Sequence, residues 1–287
     1  MMNAIRERKR LQIFGLMFPG AFWLVVFFAL PLLVIFVISF MARDELGSPV
    51  PPFSLDNYQQ AFDSLYLNLF LFSLWISLLT TVVTLLISFP VALYIARSPK
   101  RWRNILIFLV MIPFWTNFLV RTYALQFLMR ANGPINTLLQ GLGVIQEPIS
   151  MLSTPVAVLI GLVYGELPFM ILPLYASLEK FDWAMFEAAQ DLGADMRRAF
   201  LRVMLPMTMP GVLAGSILVF VPSVGSYITV ELMGGGKINM IGRVIASQFG
   251  VASNWPFGSA ISLLLMVVVT IAALVYFRVG RGERMAL

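Results

Sequence analysis

The chain of 287 residues contains no cysteine and no histidine. Thiolate nucleophiles, disulfides, thiol or imidazole metal ligands and imidazole proton relays are therefore closed to it. Charge is scarce too, since Lys, Arg, Asp and Glu together make up 12% of the residues. A nucleotide loop is also missing. The one Gly-Lys pair, in "GGGKINMIG" at 234–242, lacks the Ser or Thr that should follow the lysine and the glycine that should stand five residues before Gly236. No enzymatic site is visible, and if ATP drives this protein another chain must hydrolyse it.

What fills the chain instead is apolar: 60% of its residues are hydrophobic and the mean hydropathy is +0.88. That composition belongs to a polytopic membrane protein. A crossing needs about 20 apolar residues to span roughly 30 Å of hydrocarbon. Six stretches qualify, Ile13 to Phe40, Leu69 to Ala96, Asn104 to Leu128, Thr154 to Leu178, Met207 to Glu231 and Phe257 to Phe277. Lipid offers no partners to open backbone groups, and the runs lack the alternation of a barrel strand, so all six are predicted as helices. The expected fold is an all-α bundle of six transmembrane helices. A short segment at 1–12 precedes the membrane domain at 13–278, a polar insert occupies 179–206, and a tail covers 279–287.

Basic residues orient the bundle, because cytoplasmic loops retain Lys and Arg. With the N-terminus inside, the inner segments hold Arg6, Arg8, Lys9, Arg10, Arg97, Lys100, Arg101, Arg103, Lys180, Arg197, Arg198, Arg202, Arg278, Arg281 and Arg284. The outer loops hold Arg43, Arg130, Lys237 and Arg243, and Arg121 falls within a span. Both termini are therefore expected in the cytoplasm. The net charge of +6 reads as this asymmetry plus contact with anionic lipid, not as a nucleic-acid surface. The first span is too long for the apolar core of a cleaved signal and is expected to stay as an anchor.

Against this background "FEAAQDLGADMRRAFLRVMLPMTMPG", residues 186–211, stands out. Asp182 suits the N-cap of a short helix through Leu192, and Gly193 suits its stop at positive φ. Asp195 suits the cap of a second helix to Leu205, with Pro206 and Pro210 marking re-entry into the membrane. Trp183, Phe186 and Gln190 fall near one face of the first helix. Met196, Phe200 and Val203 form a stripe on the second. Two uses fit: an amphipathic element lying among headgroups, or a docking surface.

Glu187, Ala188, Ala189, Gly193, Leu205 and Pro206 stand as in the EAA signature of ATP-binding cassette importer permeases, and the segment resembles it. The stretches "SLDNYQQAF", "PFWTNFLVRTYAL", "IGLVYGELPFMILPLYASLEK", "MTMPGVLAG", "ELMGGGK" and "NWPFGSAIS" resemble the polyamine branch of that family. The resemblance implies a type I importer permease of the bacterial inner membrane, with the insert as the coupling helix seated in a groove of the ATPase. It also implies the partners: a second homologous permease, two copies of a cytoplasmic ATPase subunit that holds ATP and Mg, and an external substrate-binding protein. No cofactor is expected on this chain.

A polyamine asks for carboxylates at its ammonium groups and aromatic faces along its stem. Glu166 and Glu231 are candidates for the first role, Trp115, Tyr123, Tyr164, Tyr227 and Trp255 for the second, with Asn117 and Thr116 as hydrogen-bond partners. At about 1.5 Å per residue Glu166 falls near mid-bilayer, and Glu231 lies about 37 Å along its span from Pro206, at the outer mouth. Each has a plainer reading. Glu166 can pair with Arg121, Asn117 can tie neighbouring helices, and Trp255 can be an interfacial aromatic. Pro168 and Pro173 in the fourth span, and Pro210, Pro222 and Gly225 in the fifth, read equally as hinges or as fixed kinks.

The outer loop at 42–68 carries Asp44, Glu45, Asp56 and Asp63 against Arg43, a solvated surface by default, and its "SPVPPF" reads as an extended linker. A stand-alone secondary transporter of a small organic cation, using Glu166 and Arg121 as its coupling pair, is the alternative, although no inverted repeat supports it. A channel or scaffold is the third reading.

Overall fold

The computed structural model describes residues 17–45 and 47–282. The expected segment at 1–12 lies outside the described residues. The chain divides into two compact units. One is built from the chain up to Asp63 together with Ile245–Met266, the other from Ser64–Val244 together with the chain from Val267 onward.

In the first unit, helix α1 (Met17–Ser39) is apolar enough to cross a membrane and has no residue of its apolar window buried. Strands β1 (Met41–Arg43) and β2 (Pro49–Phe53) follow as an antiparallel hairpin, with Ala42 opposite Val50 and Arg43 opposite Pro49. The segment expected as an extended linker is extended and, from Pro49 to Phe53, paired as a strand. Its prolines are tolerated because a two-stranded ribbon consists only of edges. Helix α2 (Asp56–Ala61) is fastened to the end of α1 by side chains. The Asn57 amide donates to the carbonyls of Ser39 (3.0 Å) and Met41 (2.9 Å), and the Tyr58 and Ser39 hydroxyls share a hydrogen bond of 2.8 Å. Gly47, at φ +84°, lies so close to Ser253 that a Cβ would stand 1.7 Å from its carbonyl oxygen.

The second unit contains α3 (Ser64–Arg97), α4 (Lys100–Trp115), α5 (Phe118–Leu128), α6 (Pro134–Gly141), α7 (Pro155–Glu179), α8 (Trp183–Asp191), α9 (Met196–Val224) and α10 (Ile228–Gly234). Helices α11 (Ile241–Phe249) and α12 (Trp255–Gly282) have parts in both units. The expected tail from 279 therefore begins as helix, because a helix that satisfies its own backbone can run past the apolar boundary.

Helices α3, α7 and α9 form the packed centre of this unit. One cluster joins Phe89, Ala92 and Ile95 of α3 to Met170, Leu174 and Leu178 of α7 and Val212 and Val219 of α9. A second joins Ile76 to Ala157, Val158 and Leu162 of α7 and to Val230 and Met233 of α10. Lipid tails are as apolar as leucine, so close van der Waals fit must hold such helices together, and small residues permit it. A Cβ on Gly211 would stand 2.6 Å from both the Pro173 carbonyl oxygen and Ser177 Oγ. The α3 face that meets the others is polar in composition and only partly satisfied, since the Ser77, Thr84 and Ser88 hydroxyls are buried without a partner. Ser73 Oγ donates to Leu69 (2.7 Å) and accepts from the Ile241 N–H (2.8 Å), while Thr80 and Thr81 donate back to Ile76 and Ser77.

Two of the predicted spans are corrected. Among the described residues, five helices are long and apolar enough to cross a membrane, and a sixth crossing is reached if the bent pair α4 and α5 is counted as one span. The expected continuous third helix breaks between Trp115 and Phe118 and turns by 91°. Three donors converge on the Pro113 carbonyl, namely Thr116 N–H (3.3 Å), Thr116 Oγ1 (2.6 Å) and Arg121 Nη1 (2.9 Å). Asn117 then restarts the helix, its Oδ1 accepting from the N–H groups of Leu119 (2.8 Å) and Val120 (3.4 Å). The fifth span also ends early. Helix α9 stops at Val224, and Glu231 belongs to the separate α10, so the straight-line distance from Pro206 does not apply.

Candidate functional site

The end of the second unit that carries the insert is built on the turn between α7 and α8. Asp182 Oδ1 accepts from the Ala184 N–H at 3.1 Å and starts α8 where the sequence places the cap. Phe181 and Phe186 are buried, Trp183 meets Phe181 edge-on at 5.2 Å, and the Arg97 guanidinium lies 4.9 Å above the Trp183 ring. These contacts fix one face of α8 against the bundle. Gly193, at φ +90°, ends the element, with its N–H on Gln190 (2.9 Å) and the Ala194 N–H on Ala189 (3.0 Å). Asp195 Oδ1 then accepts from the Arg198 N–H at 2.7 Å.

The second helix of the insert does not stop at Leu205. It runs on as α9 through Pro206 into the membrane, with a π-turn at Phe200–Met204. A proline cannot donate to the turn before it, and the widened turn accommodates its ring without ending the helix. The second helix of the insert and the fifth crossing are therefore one rod, joined to α8 by the turn at Gly193.

The opposite face of this element is bare. Glu187, Ala188 and Gly193 are exposed, whereas Ala189, Leu205 and Pro206 are partly buried. Leu192 is 90% exposed, Met196 69% and Met185 48%. Behind it, Arg103 ties three helices together, with Nη1 on Glu179 Oε1 at 3.1 Å and Nη2 on the Ala96 carbonyl at 2.9 Å. Sequence reasoning counted Arg103 only as an inner-loop charge, and only its position three residues inside α4 hinted at a bracing role.

The polyamine candidates of this unit lie on or beside α4, α5, α7 and α10. Gln126 Nε2 donates to the Leu232 carbonyl at 2.8 Å, and Gly161 brings α7 against Thr229 and Met233 of α10. Arg121 and Glu166 form no ion pair. The Arg121 guanidinium instead lies over the rings of Phe118 (5.5 Å) and Tyr164 (5.7 Å), and one Glu166 carboxylate oxygen is buried without a hydrogen-bond partner. The aromatic face of Tyr164 thus already holds an internal cation. Asn117 contacts the backbone of its own helix, as described above, and ties no neighbouring helix.

Trp115 is exposed and meets Phe108 edge-on at 5.3 Å, and Tyr123 is exposed. Tyr227 precedes α10 one turn before Glu231, whose N–H bonds its carbonyl at 2.9 Å. Trp255 belongs to the first unit, where it packs edge-on against Phe249 at 5.9 Å. Glu231 is held by an arginine that sequence reasoning assigned no site role, with Arg243 Nε donating to Glu231 Oε2. Replacing Asn117 with alanine should remove the cap that restarts α5 and cost about 1 kcal/mol of local stability. Faster hydrogen exchange at the Leu119 and Val120 amides is the expected readout.

A family model described as "Binding-protein-dependent transport system inner membrane component" matches residues 88–284, a range that contains the whole insert. The chain belongs to this family. Among curated relatives of this binding-protein-dependent permease, the spermidine/putrescine transport system permease protein PotB of Escherichia coli is 45% identical over 259 residues, covering 90% of this chain and 94% of that protein. PotB of Haemophilus influenzae is 42% identical over 259 residues, covering 90% and 91%. Among solved structures, a bacterial ABC transporter involved in the import of the acidic polysaccharide alginate matches with a TM-score of 0.69 over 98% of this chain and 99% of that one. At 17% identity that likeness establishes the fold of an ABC importer permease and nothing about cargo.

Proposed function

We propose that this permease subunit forms half of the translocation pathway of an ATP-driven polyamine importer, with spermidine and putrescine as the cargo class. The observation that carries this reading is 45% identity to a spermidine/putrescine permease across 90% of the chain. The second half of the pathway is a homologous permease. Two copies of a cytoplasmic ATPase subunit bind ATP and Mg and seat the α8 element through Glu187, Ala188, Ala189 and Gly193. An external binding protein delivers the polyamine, and both termini lie in the cytoplasm.

Physical support comes from the insert. One face of α8 is locked onto the bundle by aromatic side chains, while Leu192 at its end and Met196 at the start of α9 are exposed. Because the second helix of the insert and the fifth crossing are one helix, α9, a push on α8 passes through the turn at Gly193 to the fifth crossing. Leu205 and Pro206 lie within that rod. On the outer side, the recognition groups that the second unit offers to ammonium and methylene are Glu231, Glu166, Trp115, Asn117, Tyr123, Tyr164 and Tyr227.

The test is reconstitution in liposomes with partner permease, ATPase and binding protein. Accumulation of labelled spermidine that requires ATP and the binding protein is expected. Uptake by this chain alone without ATP would overturn the reading.

A further inference from the structure

The loop "GGGKIN", set aside above as a nucleotide loop, has a different task. Gly235 (φ +54°) ends α10 and Gly236 (φ +78°) turns the chain back, two conformations that side-chain-bearing residues adopt at a cost. The turn brings Asn239 and Arg243 to Glu231. Arg243 Nε donates to Glu231 Oε2, Arg243 Nη1 donates to Asn239 Oδ1, and Nη2 lies beside Gly236. The side chains of Arg243 and Glu231 remain 24% and 42% exposed.

We infer that Arg243 is the resident counter-cation of Glu231, which an alkylammonium group of the cargo displaces. Asn239 holds the guanidinium beside the carboxylate, so that exchange does not require it to leave. The inference rests on the polyamine reading above and adds to it a residue that sets affinity.

Three features carry it. The pair is part-exposed, and ion pairs in contact with water contribute little, so an incoming cation competes on nearly even terms. Only one carboxylate oxygen is taken, which leaves Glu231 Oε1 for a second donor. Tyr227, the exposed N-cap of the same helix four residues before Glu231, offers a ring to a cation or a methylene stem. A guanidinium and an alkylammonium both satisfy a carboxylate, but only the ammonium is a compact point charge on a flexible stem that can leave again.

Equilibrium binding of labelled spermidine to the assembled transporter in nanodiscs, without nucleotide and without the binding protein, tests this. Arg243→Gln should tighten binding by about three- to fivefold, the most that removal of a half-exposed ionic competitor releases. Arg243→Lys should bind like the unmodified protein. Glu231→Gln should abolish the gain, alone and combined with Arg243→Gln. A merely structural pair would show otherwise. Each single variant would lower the yield of assembled transporter, the double variant would restore it, and the dissociation constant would not move. That result, or absence of binding by Arg243→Gln, overturns the inference. If the unmodified assembly imports spermidine in liposomes while Arg243→Gln leaves binding unchanged, this inference fails alone. If it imports none, the polyamine reading fails.

Discussion

Replacing Leu192 with aspartate should strip the ATPase from the purified permease and lower ATP-driven uptake at least about tenfold. Fully burying a leucine against a partner contributes about 1.5–3 kcal/mol, and a carboxylate sealed into the same place adds a desolvation cost, so the loss exceeds one decade in affinity. Leu192 is the most bare of the apolar side chains on the insert, at 90% exposure, so the change removes little contact within the permease itself. Membrane insertion and the elution profile of the detergent-solubilised permease should be unchanged. Uptake that stays normal with the ATPase attached would show that the free face of α8 is not the seat. Loss of the folded permease would show that Leu192 is held by a contact inside the bundle.

Replacing Gly211 with leucine is expected to do the reverse, removing folded protein from the membrane altogether. The first added carbon would already stand 2.6 Å from the Pro173 carbonyl oxygen and from Ser177 Oγ, and 2.7 Å from Ser177 Cβ. One of those obstacles is backbone and cannot rotate away. Helices α7 and α9 would have to separate along the seam that carries Met170, Leu174 and Val212. Overpacking a filled core costs about 1–3 kcal/mol even where neighbours can yield, and here the packing is itself what holds the helices together. The measurement is the monodisperse fraction after extraction, expected to fall to a small residue of the unmodified level. Gly193 is the instructive contrast, because a Cβ there meets nothing within 4 Å and a substitution suffers only from the backbone at φ +90°. A side chain at Gly193 would project outward, so its damage should appear in ATPase association before it appears in folding.

The two glycines also show what was legible in the sequence. Gly193 announces itself, since a capped helix before it and Asp195 after it leave no role except a left-handed stop. Asp182, Gly193 and Asp195 act in the structure as their spacing says. Gly211 does not announce itself, because close approach to Pro173 and Ser177 is a matter of how two distant segments face each other. Apolar runs placed most crossings well for a similar reason: in lipid, length and composition decide.

Where the reading failed, competing local forces were invisible in hydropathy. The helix that holds Pro113 ends two residues later at Trp115, whereas Pro168 and Pro173 lie well inside a helix that continues past both. The difference is Thr116 and Asn117, which satisfy the groups that the break exposes. Pro206 was expected to end a helix, and the π-turn before it removes the need. Glu231 was legible as a lone carboxylate at the end of an apolar run. Its hold by Arg243 was not, because the pair is made by a glycine turn whose path no periodicity records. Arg121 and Glu166 show the opposite error, two opposite charges that looked made for each other and that the structure leaves unpaired.

The central claim is that the insert between the fourth and fifth crossings grips a separate motor, and the absence of cysteine makes it directly measurable. A Leu192→Cys variant carries the only thiol of the chain. With a short bifunctional cross-linker in native membranes, the account predicts a covalent product between this position and the copurifying ATPase subunit, changing in yield when ATP is added. Labelling of that thiol by a membrane-dissolved probe, with no protein adduct in any nucleotide state, would contradict it.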